Sequence, residues 1–225
     1  MPQFPPMFPP ARAVVIDLDG TLADTFAAMQ GAFSLVAGRE LSAEELLDLF
    51  GPGAGTEAAI LATLGVADAE ALERWYEHYG AAHADLAPFP GMREALVEAR
   101  ARGLRTGMMT GKGRRSTQIT IDALGLTDLL DAVVTGDEAT LPKPDPMGLL
   151  LVLEKLEVPP ARAVYIGDSL ADAGAARAAG AKVAAALWDP RASIGQSPDP
   201  PDYTLGSPED LPAFLDAITA RPQAD

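Results

Sequence analysis

Short apolar runs rich in β-branched residues alternate along most of this chain with longer amphipathic stretches, and that alternation restricts the fold more than any other feature. Residues 13–16, 104–109, 132–134, 163–166 and 182–187 are nearly continuous in hydrophobicity, as strands buried on both faces require. Between them, residues 92–102, 114–124, 146–157 and 169–179 read as helices. Gly103, Gly125 and Gly180 stand where a left-handed C-terminal stop is expected. Strand and helix in alternation predict an α/β fold built on a parallel, doubly wound sheet. Residues 202–205 read as a last short strand and 208–220 as a closing helix, after a loop at 189–201 rich in Pro, Ser and Asp.

Between residues 24 and 87 the alternation stops and only helical patterns occur. Ser42 and Glu45 form a capping box ahead of a helix that ends before Gly51-Pro52-Gly53. Thr56 caps the next helix, and Asp68 caps a longer one running to about Asp85, with Leu72, Trp75, Tyr79, Ala82 and Leu86 on one stripe. The expected organisation is an α/β core of residues 11–23 and 88–225 carrying an inserted all-α helical cap at 24–87. Trp75, Tyr76 and Tyr79 read as cap packing, and His78 and His83 as surface residues. Residues 1–10, five of them proline, read as a short disordered lead-in.

Composition removes several kinds of chemistry. With no cysteine the chain has no disulfide, no Cys-ligated metal and no thiol nucleophile. Thirty-two acidic against 17 basic side chains give a net charge of −15, which opposes binding to nucleic acid or anionic membrane. No apolar stretch approaches the roughly 20 residues of a membrane span, so a cytoplasmic protein is expected.

In an open parallel sheet, ligands bind beyond the carboxyl ends of the strands. The first strand runs into Asp17-Leu18-Asp19-Gly20-Thr21-Leu22, the second into Thr110-Gly111-Lys112, and the fourth into Gly167-Asp168-Ser169, with Asp172 close behind. Lys143 stands between prolines after the third strand. Clustered carboxylates repel unless a cation compensates them, and Asp17 with Asp168 offers hard oxygen ligands for Mg²⁺. One ionised carboxylate can attack phosphorus while another moves protons. Thr110 and the backbone N–H of Gly111 can bind a phosphoryl oxygen, and Lys143 can neutralise developing charge. Thr110 is equally suited to capping the helix that follows. Lys112, Arg114 and Arg115 read either as an anion-steering cluster or as a solvated helix start. Gly53 to Ala58 matches a dinucleotide-binding pattern but follows a helix, and residues 107–112 fall short of a phosphate-binding P-loop, so both are rejected.

These four stretches, in this order, resemble the haloacid dehalogenase superfamily of aspartate-nucleophile phosphohydrolases. The resemblance runs from about Arg12 to the end of the chain. It implies Asp17 as the nucleophile and Asp19 as the general acid/base, which also binds Mg²⁺ through its backbone carbonyl. It further implies Asp168 as a metal ligand, and Asp172 as a residue orienting the metal ligands from behind. The helical insert is similar to the small cap of the phosphoglycolate phosphatase-like branch. The second aspartate, Asp19, separates the chain from true dehalogenases, and no lysine occurs within residues 24–87 to match the cap lysine of phosphonate hydrolases. Gly111 departs from the asparagine found in many relatives. The implied activity is Mg²⁺-dependent hydrolysis of a small phosphorylated metabolite through an aspartyl-phosphate, first of all 2-phosphoglycolate. Alternatives are a pyrophosphatase, a sugar-phosphate phosphatase or a nucleotidase, and more remotely a non-catalytic binding module.

Overall fold

A computed structural model describes residues 4–50, 55–66 and 68–220. Six strands, β1 (Ala13–Ile16), β2 (Arg105–Met109), β3 (Ala132–Val134), β4 (Ala163–Gly167), β5 (Lys182–Ala186) and β6 (Tyr203–Leu205), form one parallel sheet in the order β3-β2-β1-β4-β5-β6. The chain starts in the middle, winds outward through β2 and β3, then returns to the other side of β1 for β4. That reversal creates a crevice beside β1 of the kind that holds ligands in such sheets. Register matters here: Ile16 lies level with Met108 of β2 and Ile166 of β4, so the residues that follow these strands emerge on one rim.

The pleat distributes the apolar runs between two faces. Val14 and Ile16 join one buried cluster with α5 (Met92–Ala101), α6 (Arg114–Leu124) and α9 (Leu211–Thr219). Ala13 and Val15 join another with α7 (Met147–Leu156) and α8 (Leu170–Ala179). Gly125 and Gly180 end α6 and α8 at φ 63° and 80°, conformations that cost a residue with a Cβ roughly 1–2 kcal/mol. Among the described residues no helix is long and apolar enough to cross a membrane.

Among the described residues, 26–81 hold four helices: α1 (Phe26–Ala37), α2 (Ala43–Leu49), α3 (Glu57–Thr63) and α4 (Ala69–Ala81). Their amphipathic faces close on a third cluster centred on Phe33, Trp75 and Tyr79, with Trp75 stacked on Tyr79 at 4.6 Å between ring centroids. The capping box of Ser42 and Glu45 opens α2, and Asp68 Oδ1 accepts from Ala71 N at 2.6 Å to open α4. Gly51, Pro52, Gly53 and Ala54, ahead of which the helix opened by Ser42 is expected to end, lie outside the described residues.

Three expectations change. The helix opened by Asp68 ends at Ala81 rather than near Asp85, leaving Ala82 as an exposed cap residue and freeing Leu86 to pack on the core. The segment from Phe4 to Pro10 is packed rather than disordered. Phe4 and Met7 are buried, Phe4 lies edge-on to Phe214 at 6.0 Å, and Met7 N donates to Ala217 O at 3.3 Å. Two apolar side chains among the prolines supply buried surface that holds this irregular segment against α9. His83 is buried rather than exposed, because Nδ1 donates to the Tyr79 carbonyl and Nε2 is hydrogen-bonded to Thr120. His78 is exposed as expected.

Trp75 is fully buried and its indole N–H has no partner. Trp75→Ala is expected to lower unfolding free energy by about 3–5 kcal/mol through the cavity it leaves. Trp75→Phe should cost much less, since it keeps an aromatic ring and removes an unsatisfied donor. Urea unfolding of the full chain measures both.

Candidate active site

Asp17 follows β1, Thr110 follows β2 and Asp168 follows β4, so level strand ends bring a hydroxyl and two carboxylates to one rim. Asp19 lies one turn beyond. The loop after β3 carries Lys143 across to the same place, where Nζ lies 3.1 Å from Asp17 Oδ1 and 2.7 Å from Asp172 Oδ1. The first contact is an ion pair without hydrogen-bond alignment, so buried Asp17 Oδ1 has no hydrogen-bond partner. These residues floor a cavity of about 460 Å³ between sheet and cap helices.

Asp172 is held by its helix. As the third residue of α8 it completes a capping box with Ser169, its Oδ2 accepting from Ser169 N at 2.9 Å and Oγ at 2.6 Å. Its Oδ1 accepts from Lys143 and from Tyr165 Oη at 3.0 Å. One oxygen each from Asp17, Asp168 and Asp172 lies within 4.8 Å of the others. Since protein donors already occupy both oxygens of Asp172, Asp17 and Asp168 are the pair left to face a cation. Thr21 Oγ1 donates to Asp168 Oδ1 at 3.0 Å and orients it.

Burial pushes the Asp17 carboxyl well above the usual carboxylate range; Lys143 opposes that rise, and Asp172, Asp168 and Asp19 add to it. Asp168 is pushed up to about 7 by burial and then by the Asp172 charge. Burial acts against ionised Asp172 as well, but Lys143 and the bonds from Ser169 outweigh it and hold the carboxyl below its ordinary value. Lys143 is desolvated too, yet Asp17 and Asp172 keep it more firmly protonated than a free lysine. Crowded negative charge, two hard oxygen donors and an orphaned buried oxygen are what a divalent cation fits.

Lys112 behaves differently from the expected cluster. It is buried, its Nζ donates to Asp19 Oδ1 at 2.7 Å and to the Tyr79 hydroxyl, and it lies 4.5 Å from the centre of the Tyr79 ring. The Thr25 hydroxyl also donates to Asp19 Oδ1. Tyr79 Oη is bonded in turn to Thr120 at 2.8 Å, so cap helix α4 and core helix α6 share one polar network. Arg115 instead pairs with Glu73 at 2.5 Å over the Tyr76 ring, and Arg114 with Glu138 at 3.6 Å. The three cations do not form one steering patch. Tyr76 and Tyr79 do more than pack, because each faces a cation. Nothing in local sequence marks the Lys112–Tyr79 pairing; only the four-residue spacing of Tyr79 and His83 hints at a shared face.

Thr110 is buried and its hydroxyl accepts from Lys112 N at 3.2 Å, leaving its proton available to a ligand. A Cβ at Gly111 would meet nothing within 4 Å, so the departure from asparagine enlarges the site and blocks nothing. Gly20 is the opposite case: at φ 78°, its Cβ would lie 2.5 Å from Asp168 Oδ2. Gly20→Ala is therefore expected to destabilise more than Gly103→Ala, where φ is 80° and nothing lies within 4 Å of a Cβ. The shared backbone term is roughly 1–2 kcal/mol, and thermal unfolding of both variants reads the excess at Gly20.

The sequence profile of haloacid dehalogenase-like hydrolases matches residues 14–186. A phosphoglycolate phosphatase from Nitrosospira multiformis is 38% identical over 187 residues, covering 77% of this chain and 82% of its own length. Another from Thiobacillus denitrificans is 37% identical over 188 residues, covering 77% and 82%. The crystal structure of CbbY from Rhodobacter sphaeroides in complex with phosphate shares the fold, with a TM-score of 0.77 at 24% identity over 89% of this chain and 96% of that one. With a profile match over most of its length and curated relatives above 30% identity, this chain belongs to the family of haloacid dehalogenase-like hydrolases.

Proposed function

We propose that this protein is a Mg²⁺-dependent phosphomonoesterase that works through an aspartyl-phosphate on Asp17. The observation that carries this reading is the meeting of Asp17, Asp168, Thr110 and Lys143 on one rim, with Asp19 two residues beyond Asp17. Residues 11–23 and 88–225 act as the catalytic core, and residues 24–87 as its cap. The relatives' names put 2-phosphoglycolate first among substrates to be tried.

The residues divide the work. Thr110 and the N–H of Gly111 hold the phosphoryl oxygens, and Lys143 places its charge where negative charge grows in the transition state. A carboxylate oxygen of Asp17 attacks phosphorus, a new O–P bond forms, and the bond from phosphorus to the leaving oxygen breaks as Asp19 supplies that oxygen with a proton. Asp19 then takes a proton from water as the water oxygen attacks phosphorus, and the Asp17–phosphorus bond breaks. The products are an alcohol and inorganic phosphate. Asp172 touches no reacting atom and acts by positioning Lys143, while Ser169 and Tyr165 fix Asp172. Mg²⁺, held by Asp17, Asp168 and the backbone carbonyl of Asp19, supplies charge neutralisation at the phosphoryl group when bound.

Asp17→Asn is expected to reduce phosphate release about a thousandfold or more while leaving the far-UV circular dichroism unchanged, and ordinary turnover in that variant would overturn the nucleophile assignment. Chelation should abolish phosphate release and added Mg²⁺ restore it. Asp168→Asn should weaken Mg²⁺ binding in titration calorimetry.

A further inference from the structure

Away from the reacting rim the cavity changes character. Among the described residues, apolar side chains lining it from α1, α2, α3 and the C-terminal end of α2 include Phe26, Met29, Leu47, Phe50 and Ile60, with Leu170 of α8 opposite. Apart from Thr25, which bonds Asp19, the polar side chain the cap helices add is Glu57. That carboxylate is already engaged by the core: it accepts from Gly113 N at 3.1 Å and from the Ser116 hydroxyl.

No cation among the described lining residues is left for a second anionic group. Lys143 faces Asp17 and Asp172, and Lys112 is held by Asp19 and Tyr79. Arg191 is bound through Nε to Asp189 Oδ1 at 2.8 Å and through Nη2 to Asp189 and Asp24, and it lies over the Phe26 ring. The cap arginines Arg39 and Arg74 are exposed and pair with Glu45 and Glu70. A carboxylate on the leaving group would meet hydrocarbon, Glu57 and an Arg191 already shared between Asp189 and Asp24, and burying a poorly paired charge is strongly unfavourable. The volume of about 460 Å³, which takes in the reacting rim as well as the apolar side, lies in the range that holds drug-sized ligands.

We infer that the substrate is a phosphomonoester whose leaving group is uncharged, predominantly apolar and larger than glycolate, with an aromatic ring or branched alkyl chain set among Phe26, Phe50, Leu47 and Ile60. This inference rests on the phosphomonoesterase reading above. Apolar area buried against these helices supplies the binding, with Phe26 and Phe50 contributing aromatic carbon to the lining. The phosphoryl end stays with Thr110 and Lys143.

The test compares benzyl phosphate, 3-methylbutyl phosphate and 2-phosphoglycolate, all esters of primary alcohols, with Mg²⁺ present and p-nitrophenyl phosphate as a probe of the chemistry alone. kcat/KM for benzyl phosphate is expected to exceed that for 2-phosphoglycolate by roughly tenfold or more, mainly through KM. Leu47→Lys, at a position 44% exposed, adds a cation to the apolar side and should move that ratio toward 2-phosphoglycolate by roughly tenfold. Equal or better hydrolysis of 2-phosphoglycolate overturns the inference and leaves the phosphomonoesterase reading standing. Release from none of the four esters overturns that reading. Calorimetry with the Asp17→Asn protein decides the preference independently of turnover: benzyl phosphate should bind roughly tenfold tighter than 2-phosphoglycolate, and the reverse order overturns the inference.

Discussion

Lys143 stands between two buried carboxylates, 2.7 Å from Asp172 and 3.1 Å from Asp17, and the arrangement of the rim follows from that placement. Three aspartates packed this closely repel, and each is desolvated as well. One ammonium offsets part of the repulsion only because Asp172 is fixed in place by the capping box of α8 and by Tyr165. The close approach of Asp172 to the end of β4 requires Gly167, where any Cβ would lie 2.5 Å from the Asp172 side chain. Strand end, helix start and lysine therefore form one unit, and removing Lys143 leaves two buried carboxylates without their shared cation.

How far the sequence foretold this depends on whether the signal was local. Asp17, Thr110 and Asp168 were legible because each directly follows an apolar run, and a parallel sheet levels the ends of such runs. Asp172 was legible as part of a helix start. Lys143 was placed on the rim by its position in the loop after the third strand, and resemblance added its role, since a lysine between prolines carries no periodicity. Lys112 was misread because its neighbours Arg114 and Arg115 sit on the exposed start of α6, while its own side chain turns inward to Asp19. That direction is set by Tyr79, far away in sequence. His83 was misread for the same reason: its burial depends on Thr120 of a different helix. Phe4 and Met7 were masked by the prolines around them, although two apolar side chains are enough to dock a short segment on α9.

The net charge of −15 and an anionic ligand are reconciled by distance and pairing. Total charge governs encounter with extended polyanions, where many phosphates act at once. A single small anion responds instead to the few charges within a Debye length of about 8–10 Å, and on this rim Lys143 is one of them. The same local count explains why the cap side differs from the rim. Among the described lining residues Arg191 is matched by Asp189 and Asp24 and Lys112 by Asp19, and shape and apolar area remain as the grounds of the proposed selectivity on that side.

Tyr79 links the two halves of the site. Its ring is stacked on Trp75 in the aromatic cluster of the cap helices, while its hydroxyl accepts from Lys112 and is bonded to Thr120 of α6. Lys112 in turn holds Asp19, the residue given the proton-transfer role. Moving α4 away from α6 separates Tyr79 from both partners at once and leaves the buried Lys112 ammonium with Asp19 alone. A buried polar network resists being half satisfied, because each lost bond exposes a desolvated group without a partner. The packing of α4 on α6 and the setting of Asp19 are thus joined through one network, in which the Asp19 carboxylate is shared between Lys112 and Thr25.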